Sequence, residues 1–140
     1  MKTFFWIILP FAFVACRVNY KLDLPLRNGQ FSKRQYKGDS VAERNFFLIP
    51  NGDYTVRSAE NAVVEVVGKT DSNYFVIMQG KYTISYMHLD KINIKKGDTI
   101  ERGKVFGEVL NIKDVSEAGE LIMQIQRDGK YIYKTSIFGK

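Results

Sequence analysis

The sequence predicts a small all-β domain, an antiparallel β-sandwich or barrel-like sandwich, within a single chain of 140 residues. Short runs rich in β-branched and aromatic residues recur along the chain, and turn-forming sequences separate them, which is typical of this fold class. After the apolar N-terminal segment, no run shows the hydrophobic period of an amphipathic helix. The composition, 45% hydrophobic and 26% charged, is that of a globular domain rather than a disordered, collagen-like or coiled-coil chain.

The predicted β domain covers residues 46–140, and turn sequences divide it into strands. The first turn, Pro50-Asn51-Gly52-Asp53, combines the residue types that tight turns favour. The last, Asp128-Gly129, is a strong hairpin signal because a type I′ turn needs positive φ at both central residues. In chain order, the predicted strands are residues 46–49, 61–67, 74–78, 82–87, 121–126 and 131–133.

Residues 1–15 have the pattern of a lipoprotein signal peptide. Lys2 precedes an uncharged apolar run, residues 4–14, which is shorter than the roughly 20 residues of a membrane-spanning helix. Ala15-Cys16 then resembles the processing site of bacterial lipoproteins. The resemblance implies cleavage before Cys16 and acylation of this residue, with palmitate among the acyl chains. Since each buried methylene contributes roughly 0.8 kcal/mol, more than one chain gives a stable anchor. An ordinary secretory peptide, with Cys16 present by chance, is the alternative.

Residues 16–45 are predicted to form the lipidated N-terminus and a linker with one or two edge elements. The segment is polar and irregular, and it contains Pro25, Gly29 and Gly38. Arg17, rather than Asp, follows Cys16, and by the sorting rule of proteobacterial lipoproteins this implies an outer-membrane protein that faces the periplasm. The membrane, reached through the lipid anchor, is therefore the first expected partner.

The charge and the residue counts exclude several function classes. Lys and Arg number 21 against 15 Asp and Glu, but the basic residues are scattered without interleaved aromatics, so no nucleic-acid partner is expected. A basic envelope protein would instead meet anionic lipid or cell-wall polymer, although a solvated charged face is the simpler explanation. One cysteine excludes an internal disulfide, and one histidine excludes any site that needs two imidazole ligands from this chain.

A spaced motif in the second half of the chain carries a family resemblance. Tyr86-Met87-His88-Leu89 precedes Gly97-Asp98, Gly103 and Gly107. The glycine pattern alone also occurs in lipoyl and biotinyl carrier domains, but the Tyr-x-His-Leu piece before it resembles the lysostaphin-type zinc endopeptidases, which cut peptidoglycan cross-bridges. Residues 63–68 are similar to the first core strand of that family, so the resemblance covers about residues 46–133. It implies a β domain with an open groove.

The residues that this resemblance assigns to zinc are replaced. The family's His-x-x-x-Asp segment aligns with residues 42–46, where Ala42 and Phe46 cannot ligate zinc. Its His-x-His strand aligns with residues 120–122, where Glu120 stands for the first histidine and Ile122 for the ligand. Catalytic zinc needs three protein ligands and an open position for water. We therefore predict no metal, no cofactor, no catalytic residue and no peptidase activity.

Three functional hypotheses follow, and the third, an active enzyme whose zinc ligands are misaligned, is opposed by the single histidine and the lipidated cysteine. Tyr86 and His88 are expected to line a vestigial groove, and the first hypothesis makes the domain a binding module that regulates other hydrolases or joins an envelope complex. The second makes it an accessory lipoprotein subunit that docks through exposed aromatic residues and leaves the groove unused. Direct peptidoglycan binding, without a stoichiometric protein partner, is the alternative to both.

Overall fold

In a computed structural model, the chain forms an antiparallel β-sheet, which confirms the predicted all-β class. The structure describes residues 19–32, 44–111 and 119–139; the predicted signal peptide, Cys16 and Ala42 lie outside them. Among the described residues, no helix has the length and apolar character needed to cross a membrane. The strands are β1 (Gln30–Phe31), β2 (Phe46–Ile49), β3 (Thr55–Arg57), β4 (Ala62–Lys69), β5 (Tyr74–Gln79), β6 (Thr83–Ile92), β7 (Thr99–Ile100), β8 (Val105–Val109), β9 (Leu121–Arg127) and β10 (Lys130–Ile132).

Hydrogen bonds join the ten strands into one sheet. Its main path runs β1-β2-β9-β6-β5-β4-β7, while β10 pairs with β9, β8 with β6, and β3 with β8. The central strand is β6, which pairs with β9 and β5 along its first half and with β8 from Leu89 onward. The change of partners occurs next to His88, so this residue lies at the branch point of the sheet.

The predicted Asp128-Gly129 turn and the two glycine reversals of the motif have the backbone geometry that their sequences require. Asp128 and Gly129 both have positive φ, 52° and 73°, and connect β9 to β10 as the hairpin signal indicates. Gly97 and Gly103, with φ of 93° and 81°, lie on either side of the two-residue strand β7. At these positive φ values a side chain would be strained, which explains why the motif places glycine at both reversals.

One continuous hydrophobic core lies against the inner face of the sheet. Along β6 and β9, alternate residues point into it, as the period of two in a strand requires. The buried members of these two strands are Ile84, Tyr86, Leu89, Leu121, Met123 and Ile125. The residues between them lie on the opposite face, where the candidate site is found.

The segment 19–32 packs onto the domain and is not a free linker. Leu22 and Leu26 are fully buried in the core, and Leu22 forms a parallel bridge with Phe138 near the C-terminus. Backbone hydrogen bonds from Leu22 to Ile137 and from Gly139 to Leu22, 2.9 and 2.8 Å long, fix this contact. The edge element expected in this part of the chain is β1, which pairs with β2. Burial of two leucines explains why this polar segment folds back.

Candidate functional site

An open groove lies on the outer face of β5, β6 and β9. Its volume is about 510 Å³. Cross-strand neighbours form its floor, because Ile77 is opposite Ser85 and Met87 is opposite Ile122 in the sheet register. The lining residues are Thr70, Asn73, Phe75, Ile77, Ser85, Met87, His88, Ile122 and Gln124. The groove is therefore mainly apolar, with a few hydroxyl, amide and imidazole groups on its surface.

His88 enters the groove through a β-bulge. Val76 is opposite Tyr86 and Tyr74 is opposite Leu89, so a single residue of β5 faces two residues of β6, Met87 and His88. The φ angle of His88 is 66°, in the left-handed region that few non-glycine residues adopt. Bulges re-aim side chains and often lie next to functional sites. Here the bulge places two consecutive residues, Met87 and His88, in the groove.

Two hydrogen bonds hold His88 in this conformation. Its Nδ1 atom lies 3.2 Å from the carbonyl oxygen of Glu120, and its own carbonyl accepts the N–H of Leu110 at 2.8 Å. The first contact ties the middle of β6 to the residue before β9, and the second ties it to the residue after β8. A left-handed residue of this kind costs of order 1–3 kcal/mol and persists where its surroundings over-determine it. This strain marks His88 as a functional candidate.

The residues aligned with the His-x-His strand lie beside His88. Ile122 lines the groove and pairs with Met87, while Leu121 points into the core. Glu120 holds His88 through its backbone carbonyl, and its carboxylate accepts the hydroxyl of Ser32 at 3.0 Å. The structure thus brings together His88 and the residues that replace the His-x-His pair.

The other position that the resemblance assigns to zinc has no polar group. Phe46 is fully buried and packs its ring against Phe138, with ring centroids 5.2 Å apart. Residues 19–32, 44–111 and 119–139 contain no group of three or more His, Cys, Asp or Glu side chains that could hold a metal ion.

Tyr86 does not line the groove, contrary to the prediction made from its position in the motif. Its side chain is fully buried in the core, with its ring 4.9 Å from that of Phe106. The hydroxyl oxygen accepts the N–H of Ala59 at 3.0 Å, and burial raises the pKa of Tyr86 above its ordinary value. Because side chains alternate across a strand, Tyr86 points away from Ser85 and Met87. His88 reaches the groove only because the bulge breaks this alternation.

Several groove residues were not anticipated from the motif. Ser85 and Met87 on β6, and Ile122 and Gln124 on β9, occupy the outward positions between the buried residues of their strands. The alternation of small polar with bulky residues in this region of the sequence carried this information. Phe75 and Ile77 come from β5, whose continuous apolar run gives no indication of which face is exposed.

A family model places the fold in a known class. The model described as Peptidase family M23 matches residues 46–134. The chain belongs to Peptidase family M23. The match confirms the lysostaphin-type resemblance of the sequence and begins at the residue where the β domain was predicted to start. Among curated proteins, no match to the chain is found.

Several solved structures share this fold at low sequence identity. A chain of the SpoIIQ–SpoIIIAH pore-forming complex superposes with a TM-score of 0.65 at 12% identity, covering 86% of this chain and 92% of that one. Helicobacter pylori Csd3 gives 0.67 at 16% identity, with 86% of this chain but 34% of Csd3 covered. Lysostaphin gives 0.61 at 17% identity, covering 84% of this chain and 50% of lysostaphin. These identities establish a common fold and no more.

Proposed function

We propose that the protein is a non-catalytic lipoprotein of the bacterial envelope whose M23 domain binds another protein. The observation that carries this proposal is a retained histidine in the groove together with the replacement of the expected zinc ligands. His88 remains in a strained conformation at the site, while Phe46 and Ile122 stand where the family resemblance expects zinc ligands. The domain would regulate a cell-wall hydrolase or serve as an accessory subunit of an outer-membrane or cell-wall complex.

The groove has the properties of a peptide-binding surface. An open cleft of about 510 Å³ with an apolar floor and a few polar groups can accept side chains of an extended segment. Met87 and Ile122 would contact apolar side chains of the partner, and His88 and Gln124 would form hydrogen bonds that set its orientation. The occurrence of this fold in a chain of the SpoIIQ–SpoIIIAH complex supports a role in protein assembly.

The donor atoms near His88 do not support peptide hydrolysis. Amide cleavage by this family type requires a metal-activated water, and three protein ligands must hold the metal. A single imidazole beside the apolar Met87 and Ile122 provides no such centre. Metal analysis of the purified full-length protein tests this point. We expect zinc at background level, and one zinc per chain would overturn the non-catalytic assignment.

Anchoring through an acylated Cys16 completes the proposed function. The signal-peptide pattern of residues 1–15 and the position of the chain's one cysteine support it, and Arg17 supports sorting to the outer membrane with the domain in the periplasm. Mass spectrometry of the protein purified from membranes tests acylation. A mature N-terminus at Cys16 that carries acyl chains is expected, whereas an unmodified cysteine would contradict the anchor.

A tagged pull-down from detergent-solubilised membranes, with the native signal intact, tests the protein-binding role. We expect stoichiometric recovery of an envelope protein with the wild type and its loss with Met87→Glu, which places a charge on the apolar floor. Tyr133→Ala is the matched control, because Tyr133 is an exposed aromatic residue outside the groove lining. If Tyr133→Ala loses the partner and Met87→Glu keeps it, the groove is unused and the docking-subunit hypothesis holds.

Direct binding of peptidoglycan is the second candidate, because the resembled lysostaphin-type enzymes cut peptidoglycan cross-bridges and the groove contains His88, the histidine retained from their motif. Recovery of the protein alone in the pull-down would favour it. Sedimentation with purified sacculi would then separate the two readings. Loss of sedimentation in Met87→Glu, with retention in Tyr133→Ala, would establish cell-wall binding through the groove.

A further inference from the structure

A cluster of basic and aromatic side chains lies where the described N-terminal segment joins the sheet. Lys81 Nζ is 4.3 Å and the Arg102 guanidinium carbon 5.1 Å from the centre of the Tyr20 ring, and the Arg127 guanidinium carbon is 5.8 Å from that of Tyr82. The two tyrosine rings are themselves 6.1 Å apart. We call this set of five residues the base cluster.

The acidic groups near the base cluster are already engaged. The carboxylate of Glu60 is 1% exposed and accepts the Tyr20 hydroxyl and the backbone N–H groups of Lys81 and Tyr82. Asp23 pairs with Arg102 at 3.1 Å, and Asp128 lies 4.0 Å from Arg127. No described residue makes a salt bridge with Lys81 within 4 Å. The outer surface of the cluster is therefore formed by the exposed side chains of Lys81 and Arg127 beside the half-buried Tyr20 ring, an arrangement that suits a membrane interface, while Tyr82 lies beneath them at 4% exposure.

The length of chain between Cys16 and the fold limits where an anchored domain can lie. Tyr20 is four residue steps beyond Cys16, and a fully extended chain spans at most about 3.6 Å per step, or about 14 Å in all. Leu22, two residues further on, is fixed in the core. An acyl chain on Cys16 would therefore hold the base cluster within reach of the lipid headgroups.

The groove opens at the other end of the same strands. β5 begins at Tyr74, which follows the groove residue Asn73 in the sequence. It ends at Gln79, two residues before Lys81 of the base cluster. At about 3.4 Å per residue, the five steps of this strand separate the two ends by about 17 Å. β9 has the same polarity, since it begins beside His88 and ends at Arg127.

We propose that the base cluster binds anionic phospholipid headgroups and orients the anchored domain so that the His88 end of the groove points away from the membrane. This inference rests on the proposed acylation of Cys16 and adds to it a defined orientation. The consequence is that the groove remains accessible to a partner in the periplasm although the tether is short.

Distance-dependent quenching on vesicles tests this orientation. The native lipidated protein is reconstituted into vesicles of phosphatidylethanolamine and phosphatidylglycerol that carry a headgroup-linked acceptor dye. Each protein carries one donor dye, attached either to Gln79→Cys near the base cluster or to Asp71→Cys at the groove end. Both positions are exposed. We expect several-fold stronger quenching at position 79 than at position 71. Equal quenching, or stronger quenching at position 71, would overturn the proposal.

Charge-reversal variants test the role of the headgroups. Lys81→Glu combined with Arg127→Glu should abolish the difference between the two labels, as should vesicles of phosphatidylcholine. Lys95→Glu combined with Lys96→Glu makes the same charge change at exposed residues outside the cluster and should preserve the difference. A difference that survives the base-cluster reversal would overturn the headgroup contact.

Thiol labelling of the wild type separates failure of this inference from failure of the anchor. An acylated Cys16 has no free thiol, so the wild type should take up no dye, because it contains no other cysteine. Labelling at Cys16 would overturn the anchor and, with it, the orientation. An unlabelled wild type combined with equal quenching at the two introduced positions would overturn the orientation alone.

Discussion

The left-handed backbone of His88 predicts an unusual order of stability for two substitutions at this position. In an ordinary strand, glycine is less stable than alanine by about 0.5–1 kcal/mol because it loses more backbone freedom on folding. At the φ of 66° found for His88, a Cβ atom costs roughly 1–2 kcal/mol. His88→Gly and His88→Ala both lose the contact of Nδ1 with the Glu120 carbonyl, so that loss cancels between them. We therefore expect His88→Gly to be more stable than His88→Ala, by about 0.5–1 kcal/mol.

Urea unfolding of the two variants, followed by circular dichroism, measures this difference. Ser85 provides the matched control, because it lies on the same strand and lines the same groove without a positive φ. Ser85→Gly should be less stable than Ser85→Ala, which is the ordinary order. If His88→Gly is also less stable than His88→Ala, by a similar amount, the bulge does not impose a left-handed conformation and the argument for strain fails.

Three further substitutions test the core and the groove. Tyr86→Phe leaves a buried N–H without its acceptor and should destabilise by about 1–3 kcal/mol in urea unfolding. Burial raises the folded-state pKa of Tyr86 above 10.0, so the free energy of unfolding of the wild type should be intact below pH 10 and fall above it. Tyr86→Phe lacks this ionisation, and an equal fall in the wild type and the variant would contradict the prediction. Glu60→Gln weakens the acceptor of the Tyr20 hydroxyl and the Tyr82 N–H, so proteolysis within residues 19–32 should be faster. An unchanged cleavage rate would show that Glu60 does not hold this segment on the sheet. Gly68→Ala would place Cβ 2.1 Å from the Phe75 ring, so the ring must move and partner recovery in the pull-down should fall; full recovery would show that Phe75 is not used.

The strands that the sequence predicts correctly are those with a clear pattern and a turn on each side. β2, β4, β5, β9 and β10 lie within a residue or two of their predicted positions. β6 extends five residues beyond the predicted end at Met87, because the motif residues after it continue the strand through a bulge. β1 and β3 have two and three residues, too few for a periodic signal.

The packing of residues 19–32 against the domain could not be predicted from the local sequence pattern. The spacing of Leu22 and Leu26 was compatible with an extended segment, but their partners, such as Phe138, are far away in sequence. Only tertiary packing places these leucines in the core, so the local pattern predicts a linker where the structure has a packed segment. The short distance from Cys16 to the fold became apparent only with this packing.

The candidate site could be predicted in part. The motif predicts His88 at a groove, and the structure places it in one, beside residues 120–122. The assignment of Tyr86 to the groove was wrong, since strand alternation puts it on the opposite face from Met87. The bulge that brings His88 to the groove depends on the pairing of β6 with β5 and β8. The amino-acid sequence alone does not show that pairing.

Photo-crosslinking in living cells tests most directly whether the groove is a protein-binding site. A benzophenone amino acid is placed at Met87, on the groove floor, or at Tyr133, which is 54% exposed and outside the groove lining. We expect a discrete crosslinked product of defined mass from position 87 and background from position 133. A discrete product from position 133, with none from position 87, would contradict the account and assign binding to another surface.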